Sequence, residues 1–349
     1  MGGAGDNTTG ATWVFLRNSS DSWNQSGTKI VGTGYVRSPA QGNGVSLSGD
    51  GLTLAVGGPG DDSRIGATWM FNQNSNGTWS QKETKLVGPG YTGQSDQGSS
   101  VSLSADGSKL ATGGPGDGSN LGAAWIFNNL GVALKQLVGS GYPFGSPYIY
   151  QGESVSLSAD GLTLAMGGYA NDNYIGATWI FQSSGGWHQE GPKLVGTGYA
   201  GSSQQGHAVS LSADGKTLAV GSPGDNNSIG AVWMFSQNSN NTWSQYGTKL
   251  VATDRVGQSN QGRSVSLSAD GQTLAVGGPG DNVAIGSCWI WKNTGGIWSQ
   301  VGTKLVGAGT IGQSHQDNSV SLSSDGLTLA VGGYGDSTNV GATWVFTAV

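Results

Sequence analysis

The chain has 349 residues, of which 10% are charged, with a formal net charge of −6 and no cluster of Lys or Arg, so it lacks the basic footprint that phosphate binding needs and nucleic acid is excluded as a partner. Its 65 Gly follow no three-residue period and accompany 13 Trp and 35% hydrophobic residues, which excludes collagen-like and disordered chains. No stretch approaches the roughly 18 apolar residues of a membrane helix, and Cys288, the single cysteine, permits no intrachain disulfide and reads as a small buried hydrophobe.

Along the chain a Gly-x-x-Trp cassette recurs from Gly10 to Trp13, Gly66 to Trp69, Gly122 to Trp125, Gly176 to Trp179, Gly230 to Trp233, Gly286 to Trp289 and Gly341 to Trp344. The Trp spacings are 56, 56, 54, 54, 56 and 55. A period of this size marks a repeat architecture in which each unit borrows core from its neighbours, so residues 1–349 are predicted to form one domain. Within the second unit, Val45 to Ser48 alternates apolar and small polar residues, Gly49-Asp50-Gly51 is a tight turn, and Leu52 to Gly57 is an apolar run. These make a hairpin of strands A and B.

The Gly57-Gly-Pro-Gly-Asp61 segment reads as a loop, because Pro lacks a donor and paired Gly weaken a ladder. Gly66 to Phe71 follows as strand C with two apolar faces, and Trp79 to Val87 as a more polar strand D. Four strands of falling hydrophobicity predict an all-β fold, a β-propeller of four-stranded antiparallel blades. Trp23, Trp79, Trp187, Trp243 and Trp298 open strand D and are expected to cover strand C.

Strand A starts six times, at Val45, Val101, Val155, Val209, Val265 and Val320, and strand D also occurs six times, whereas strand C occurs seven times. Six blades are therefore expected, the last completed by strand D of the N-terminus, with one strand C left over. Because Met1 to Asp6 aligns with the end of a strand B, the alternative is a segment of a longer parent with seven blades. A surplus strand predicts self-association, and hence a homo-oligomer, through edge pairing.

The run Gln97-Gly98 through Asp106-Gly107, with Gly113-Gly-Pro115-Gly-Asp117 and Gly122-Ala-Ala-Trp125, resembles the FG-GAP repeat of integrin α-like propellers, and similar runs fill the chain. The resemblance implies a propeller used for adhesion or ligand binding, usually extracellular or at the cell surface. Two departures stand out. The Phe-Gly of that motif is Gln-Gly here, becoming Gln316-Asp317 in the last unit, and the A–B loop that carries calcium in many such repeats is Ser-Ala-Asp-Gly. One carboxylate per hairpin falls short of the six to eight oxygens that calcium takes, so neither a metal nor another cofactor is expected.

In a propeller the D–A and B–C connections share one face. That face collects Tyr35, Tyr91, Tyr142 and Tyr199, the Gln-Gly pairs and the loop acids Asp61, Asp117, Asp225, Asp281 and Asp336, a set suited to a protein or glycan ligand. The longest break in the repeat, Tyr142-Pro-Phe144-Gly-Ser-Pro147-Tyr148-Ile-Tyr150, adds four aromatics on a loop and is the first choice for a contact surface. His188, His207 and His315 read as isolated and facing solvent. The sequence holds no Gly-x-Ser-x-Gly elbow, His-Glu-x-x-His or phosphate loop, so the expectation is a non-enzymatic binding, adhesion or assembly module, with a carbohydrate-binding propeller as the alternative.

Overall fold

The computed structural model describes residues 1–143 and 148–347, so Phe144 of the aromatic loop lies outside the described residues. It is all-β and has the fold of a six-bladed β-propeller. The six inner strands are Val45–Leu47, Ser100–Leu103, Ser154–Leu157, Ala208–Leu211, Ser264–Leu267 and Ser319–Leu322. Five of them open four-stranded sheets in the order A-B-C-D, and the last opens a three-stranded sheet that ends with Ala342–Thr347. At the N-terminus Gly2–Gly3 pairs with Ala11–Thr12, and Phe15–Arg17 with Trp23–Gln25. The N-terminal strand D thus pairs with its own strand C, which a short turn brings back beside it, and not with the last blade as expected.

The chain divides into two compact units, residues 1–138 with 150–162, and residues 139–149 with 163–349. The same turn opens each hairpin in both. In the first unit Ser48 Oγ and the Leu52 N–H donate to Asp50 Oδ1, while the Thr53 N–H donates to Ser48 Oγ. The Asp-Gly carboxylate is therefore consumed by its own turn. These hydrogen bonds hold the Asp50 and Asp106 carboxyls below their ordinary range, and the equivalent bonds do the same at Asp325 in the second unit.

Strand B runs further than the sequence suggests. Thr53–Gly58 keeps both glycines in the ladder, Gly57 opposite Thr68 and Gly58 opposite Ala67. The reason is close approach: a Cβ on Gly57 would lie 2.0 Å from the Gly98 carbonyl oxygen of the next blade, and one on Gly58 2.8 Å from the Trp69 ring. The loss of strand propensity is the cost of bringing neighbouring backbones together.

The cassette tryptophans form the core. Trp69 and Trp125 in the first unit and Trp179, Trp233 and Trp289 in the second have no exposed surface. Burying each indole removes about 150–250 Å² from water, an upper bound of about 4–6 kcal/mol at 25 cal/mol/Å². Trp69 lies so flat on Gly32 that a Cβ there would be 2.2 Å from the ring, and its N–H donates to the Thr33 carbonyl at 2.8 Å. Trp233 repeats this on Gly196 and Thr197. Each of these Trp thereby fixes the D–A connection that leads into its own blade.

Inner strands are stapled to one another by the first Ser of Val-Ser-Leu-Ser. Ser46 Oγ accepts the Leu103 N–H, and in the second unit Ser210 Oγ accepts that of Leu267 and Ser266 Oγ that of Leu322, all at 3.0 Å. Backbone bonds between turns run alongside, from Gly49 N–H to Ala105 and from Ala269 N–H to Ser324. The small hydroxyl recurs because a satisfied donor is needed where two edges meet without a ladder.

Candidate binding face

Two buried side chains per repeat fix the loops that the sequence singled out. Gln41 Oε1 accepts the Gly32 N–H at 2.6 Å while its Nε2 donates to the Gly32 carbonyl at 2.9 Å, and Gln205 closes the same ring on Gly196. A planar amide can do this, and a Phe cannot. The loop acids form the second clamp. Asp61 Oδ1 accepts the Val36 N–H at 2.7 Å and its Oδ2 receives Lys85; Asp225 does the same with Ala200 at 2.8 Å and Lys249 at 2.5 Å. These carboxylates are buried and fully engaged, so they anchor the D–A loop on the B–C loop.

Between the clamps the B–C loop turns through left-handed backbone, with φ of 44°, 59° and 72° at Asp62, Ser63 and Arg64. The same three positions are left-handed at residues 172–174, 226–228, 282–284 and 337–339. Such strain persists only where surrounding structure imposes it. Side-chain identity here varies from repeat to repeat, so the scaffold presents different chemistry on one backbone.

In the first unit this variation gives an ion pair. Arg64 Nε and Nη2 donate to Asp96 Oδ1 and Oδ2 at 2.9 and 2.8 Å. Burial pushes the Asp96 carboxyl up, opposed by the Arg64 guanidinium. Tyr150 occupies the position of Asp96 one repeat on, with φ of 59° and its N–H donating to the Asn120 carbonyl. It belongs to the anchored end of the aromatic loop, not to an exposed tip.

In the second unit four residues that break the repeat converge. The Tyr169 ring lies 5.6 Å from His207 and 6.2 Å from Tyr174, and Arg263 Nη1 donates to His207 Nε2 at 2.5 Å. Burial, then the guanidinium charge, lowers the His207 pKa to about 3, so the imidazole is neutral and carries its proton on Nδ1, which has no hydrogen-bonding partner among the described residues. His315 stacks on Tyr334, with centroids 4.9 Å apart and planes inclined by 6°. His207 and His315 are thus not isolated, as the sequence suggested; the signal was their place, immediately after and immediately before the buried Gln-Gly or Gln-Asp pair.

The expected ligand residues lie on these loops. Tyr35 and Tyr91 in the first unit, and Tyr142, Tyr148 and Tyr199 in the second, are 37–44% exposed. Next to the left-handed turn of the second unit, a cleft of about 360 Å³ is lined by Val256, Gly257, Gln258, Gly280, Val283, Ala284 and Gln313. Among the described residues no group of three His, Cys, Asp or Glu is placed to hold a metal ion. No helix of the described residues is long and apolar enough to cross a membrane.

The fold and these loops define the class, a β-propeller with clamped, chemically variable loops. No protein-family profile matches the chain, and no curated protein is similar to it. Among solved structures it is similar to Kuenenia stuttgartiensis hydrazine synthase, with a TM-score of 0.56 and 14% identity over 97% of this chain and 90% of that one. That likeness carries the fold. It also corrects the expectation of a non-enzymatic protein: the neighbour is an enzyme by name, so this fold occurs in an enzyme. Missing motifs exclude the chemistry of those motifs and no more.

Proposed function

We propose that this chain is a binding module, acting outside the cell, whose D–A and B–C loops present a multivalent surface to a protein ligand. One observation carries the reading: Tyr35, Tyr91, Tyr142 and Tyr199 are exposed at one position of four D–A loops, and such loops are locked from beneath by a buried Gln and a buried Asp, as Gln41 and Asp61 show. Pre-organised aromatics lose little entropy on binding, which favours their use as anchors. The resemblance to FG-GAP repeats supports the same reading.

A carbohydrate ligand is the second reading, favoured by the Tyr169, Tyr174, His207 and Arg263 cluster, where rings for stacking adjoin a guanidinium and an unpaired imidazole N–H. The test is a panel of extracellular-matrix proteins and a glycan array, probed with the wild type and with a variant carrying Ala at Tyr35, Tyr91, Tyr142 and Tyr199. Protein binding lost in that variant supports the first reading, and glycan binding lost on His207→Ala with Arg263→Ala supports the second. Binding that survives both sets of substitutions refutes the assignment of this face.

A further inference from the structure

The second unit holds a cation that its own fold does not neutralise. The residue after each Gln-Gly pair reaches the neighbouring repeat: in the first unit Asn43 Nδ2 donates to the Ser99 carbonyl at 2.9 Å. In the second unit the same place is taken by His207 and, one repeat on, by Arg263, and Arg263 Nη1 donates to His207 Nε2 at 2.5 Å. Arg263 is exposed and forms no ion pair among the described residues. Arg64 is the contrast, since its guanidinium forks onto both oxygens of Asp96 at 2.9 and 2.8 Å and is neutralised there.

The half-buried imidazole explains how that charge is kept. A carboxylate at residue 207 would hold the guanidinium and cancel it, whereas a neutral His207 accepts one N–H and leaves the charge with the remaining donors. Burial, and then the guanidinium itself, keep His207 unprotonated. The one acid of the adjacent B–C loop, Asp172, acts instead on Lys193, where its charge opposes the effect of burial. Two rings that break the repeat flank the pair. Tyr169 stands where other repeats have Pro59, Pro115, Pro223 and Pro279, and its ring is tilted by 42° against His207. Tyr174, whose ring is 6.2 Å from Tyr169, sits in the left-handed turn at φ of 66° and is 41% exposed.

We propose that Tyr169, Tyr174, His207 and Arg263 form a subsite for an acidic sugar, in which the carboxylate of a uronate ring pairs with Arg263 and the pyranose face lies against the tyrosines. This deepens the carbohydrate reading of the cluster and rests on it. The carboxylate follows from the guanidinium, whose planar fork of N–H donors matches two carboxylate oxygens and which the fold supplies with no acid of its own. The sugar ring follows from the phenols, which offer an apolar face with a polar tip to a ring that offers C–H faces edged by hydroxyls. An acidic peptide would satisfy Arg263 and leave those faces unmatched. His207 is a positioning residue, holding the guanidinium without neutralising it.

The probes are tetramers of galacturonic, mannuronic and glucuronic acid, titrated into the full chain by isothermal calorimetry, with the methyl ester of each tetramer and tetraglutamate alongside. At least one uronate tetramer should bind saturably, and its methyl ester and tetraglutamate should each bind more weakly by about tenfold or more. Arg263→Gln should abolish that binding and Arg263→Lys weaken it about tenfold, with the thermal unfolding midpoint unchanged. His207→Gln keeps a neutral acceptor and should retain binding within about threefold, whereas His207→Glu, which cancels the guanidinium, should abolish it; a merely structural histidine would not separate the two. Equal binding of a uronate and its ester keeps the carbohydrate reading and overturns the acidic subsite. Binding of neither acid nor ester overturns both at this site. Tetraglutamate bound more tightly than every uronate, or uronate binding that survives Arg263→Gln, also overturns the proposal.

Discussion

Asp317 stands where five other repeats have a glycine, and replacing it by Gly should stabilise the protein in a pH-dependent way. Gly42, Gly98, Gly152, Gly206 and Gly262 occupy the position with φ of 82–89°, and Asp317 has φ of 70°. The site is tight: a Cβ on Gly262 would lie 2.4 Å from the Ala231 carbonyl oxygen. Asp317 is fully buried, and neither carboxylate oxygen has a hydrogen-bonding partner of ordinary length. The Cys288 thiol donates to it, and a thiol is a weak donor. Burial, with a smaller contribution from the Asp281 charge, pushes the Asp317 carboxyl well above its ordinary range.

The folded pKa is raised, so the protonated acid is the form the fold accepts. Wild-type stability is complete below the unfolded-state value near 4 and is lost as pH rises through the folded value. At about pH 4 the gain from Asp317→Gly is the left-handed strain and the unpaired polar atoms, together about 1–3 kcal/mol. Above that it grows by up to about 1.4 kcal/mol per pH unit until the folded carboxyl ionises. Urea unfolding followed by tryptophan fluorescence at about pH 4, 5.5 and 7 measures the difference, and Asp317→Asn separates charge from strain, since it should abolish the pH dependence and keep the strain. A gain from Asp317→Gly that does not change with pH would refute the buried-acid argument, and a loss of stability would refute the strain argument too.

Val283 is a β-branched residue at φ of 58° with 77% of its surface exposed, so Val283→Asn should raise stability by about 1 kcal/mol, read as a higher unfolding midpoint. Asn171 replaces the clamp acid opposite Lys193, whose ammonium pKa is lowered by burial, whereas Lys85, Lys249 and Lys304 each meet an Asp. Asn171→Asp should therefore add about 1–3 kcal/mol at neutral pH, and the gain should vanish as pH falls below about 4. The exposed tyrosines Tyr35, Tyr91 and Tyr199 should each tolerate Ala within about 0.5 kcal/mol in chemical denaturation, so a larger loss would place them in the core and not on a binding face.

Much of the fold was legible because the repeat is built from short-range chemistry. Asp-Gly turns, alternating strands and the Gly-x-x-Trp cassette each specify a local geometry, and their period specified the blades. The Gly57-Gly58 pair misled, because its glycines serve an approach between blades that no local rule contains. The Gln-Gly signature was visible as a departure, but its role as a double clamp on Gly32 or Gly196 needs a contact nine residues back across a loop. The loop acids were legible as a recurring set and not as clamps, since their partners lie 25 residues earlier. The convergence of Tyr169, His207 and Arg263 was illegible for the same reason: each comes from a different repeat.

These clamps also explain how one scaffold carries unrelated chemistry. Once Gln and Asp hold both loop ends from beneath, and Trp holds the connection from the preceding blade, the left-handed turn no longer depends on the side chains it displays. Arg64, Tyr174, Ser228, Ala284 and Asn339 occupy one such position, with φ between 65° and 72° in every case. Substitution there changes the surface and spares the fold. The neighbours of the Gln-Gly pair, Asp96 and His207 among them, share that freedom. In this propeller the recurring residues carry the fold and the variable ones set the surface chemistry, as at His207, where side chains of three repeats meet.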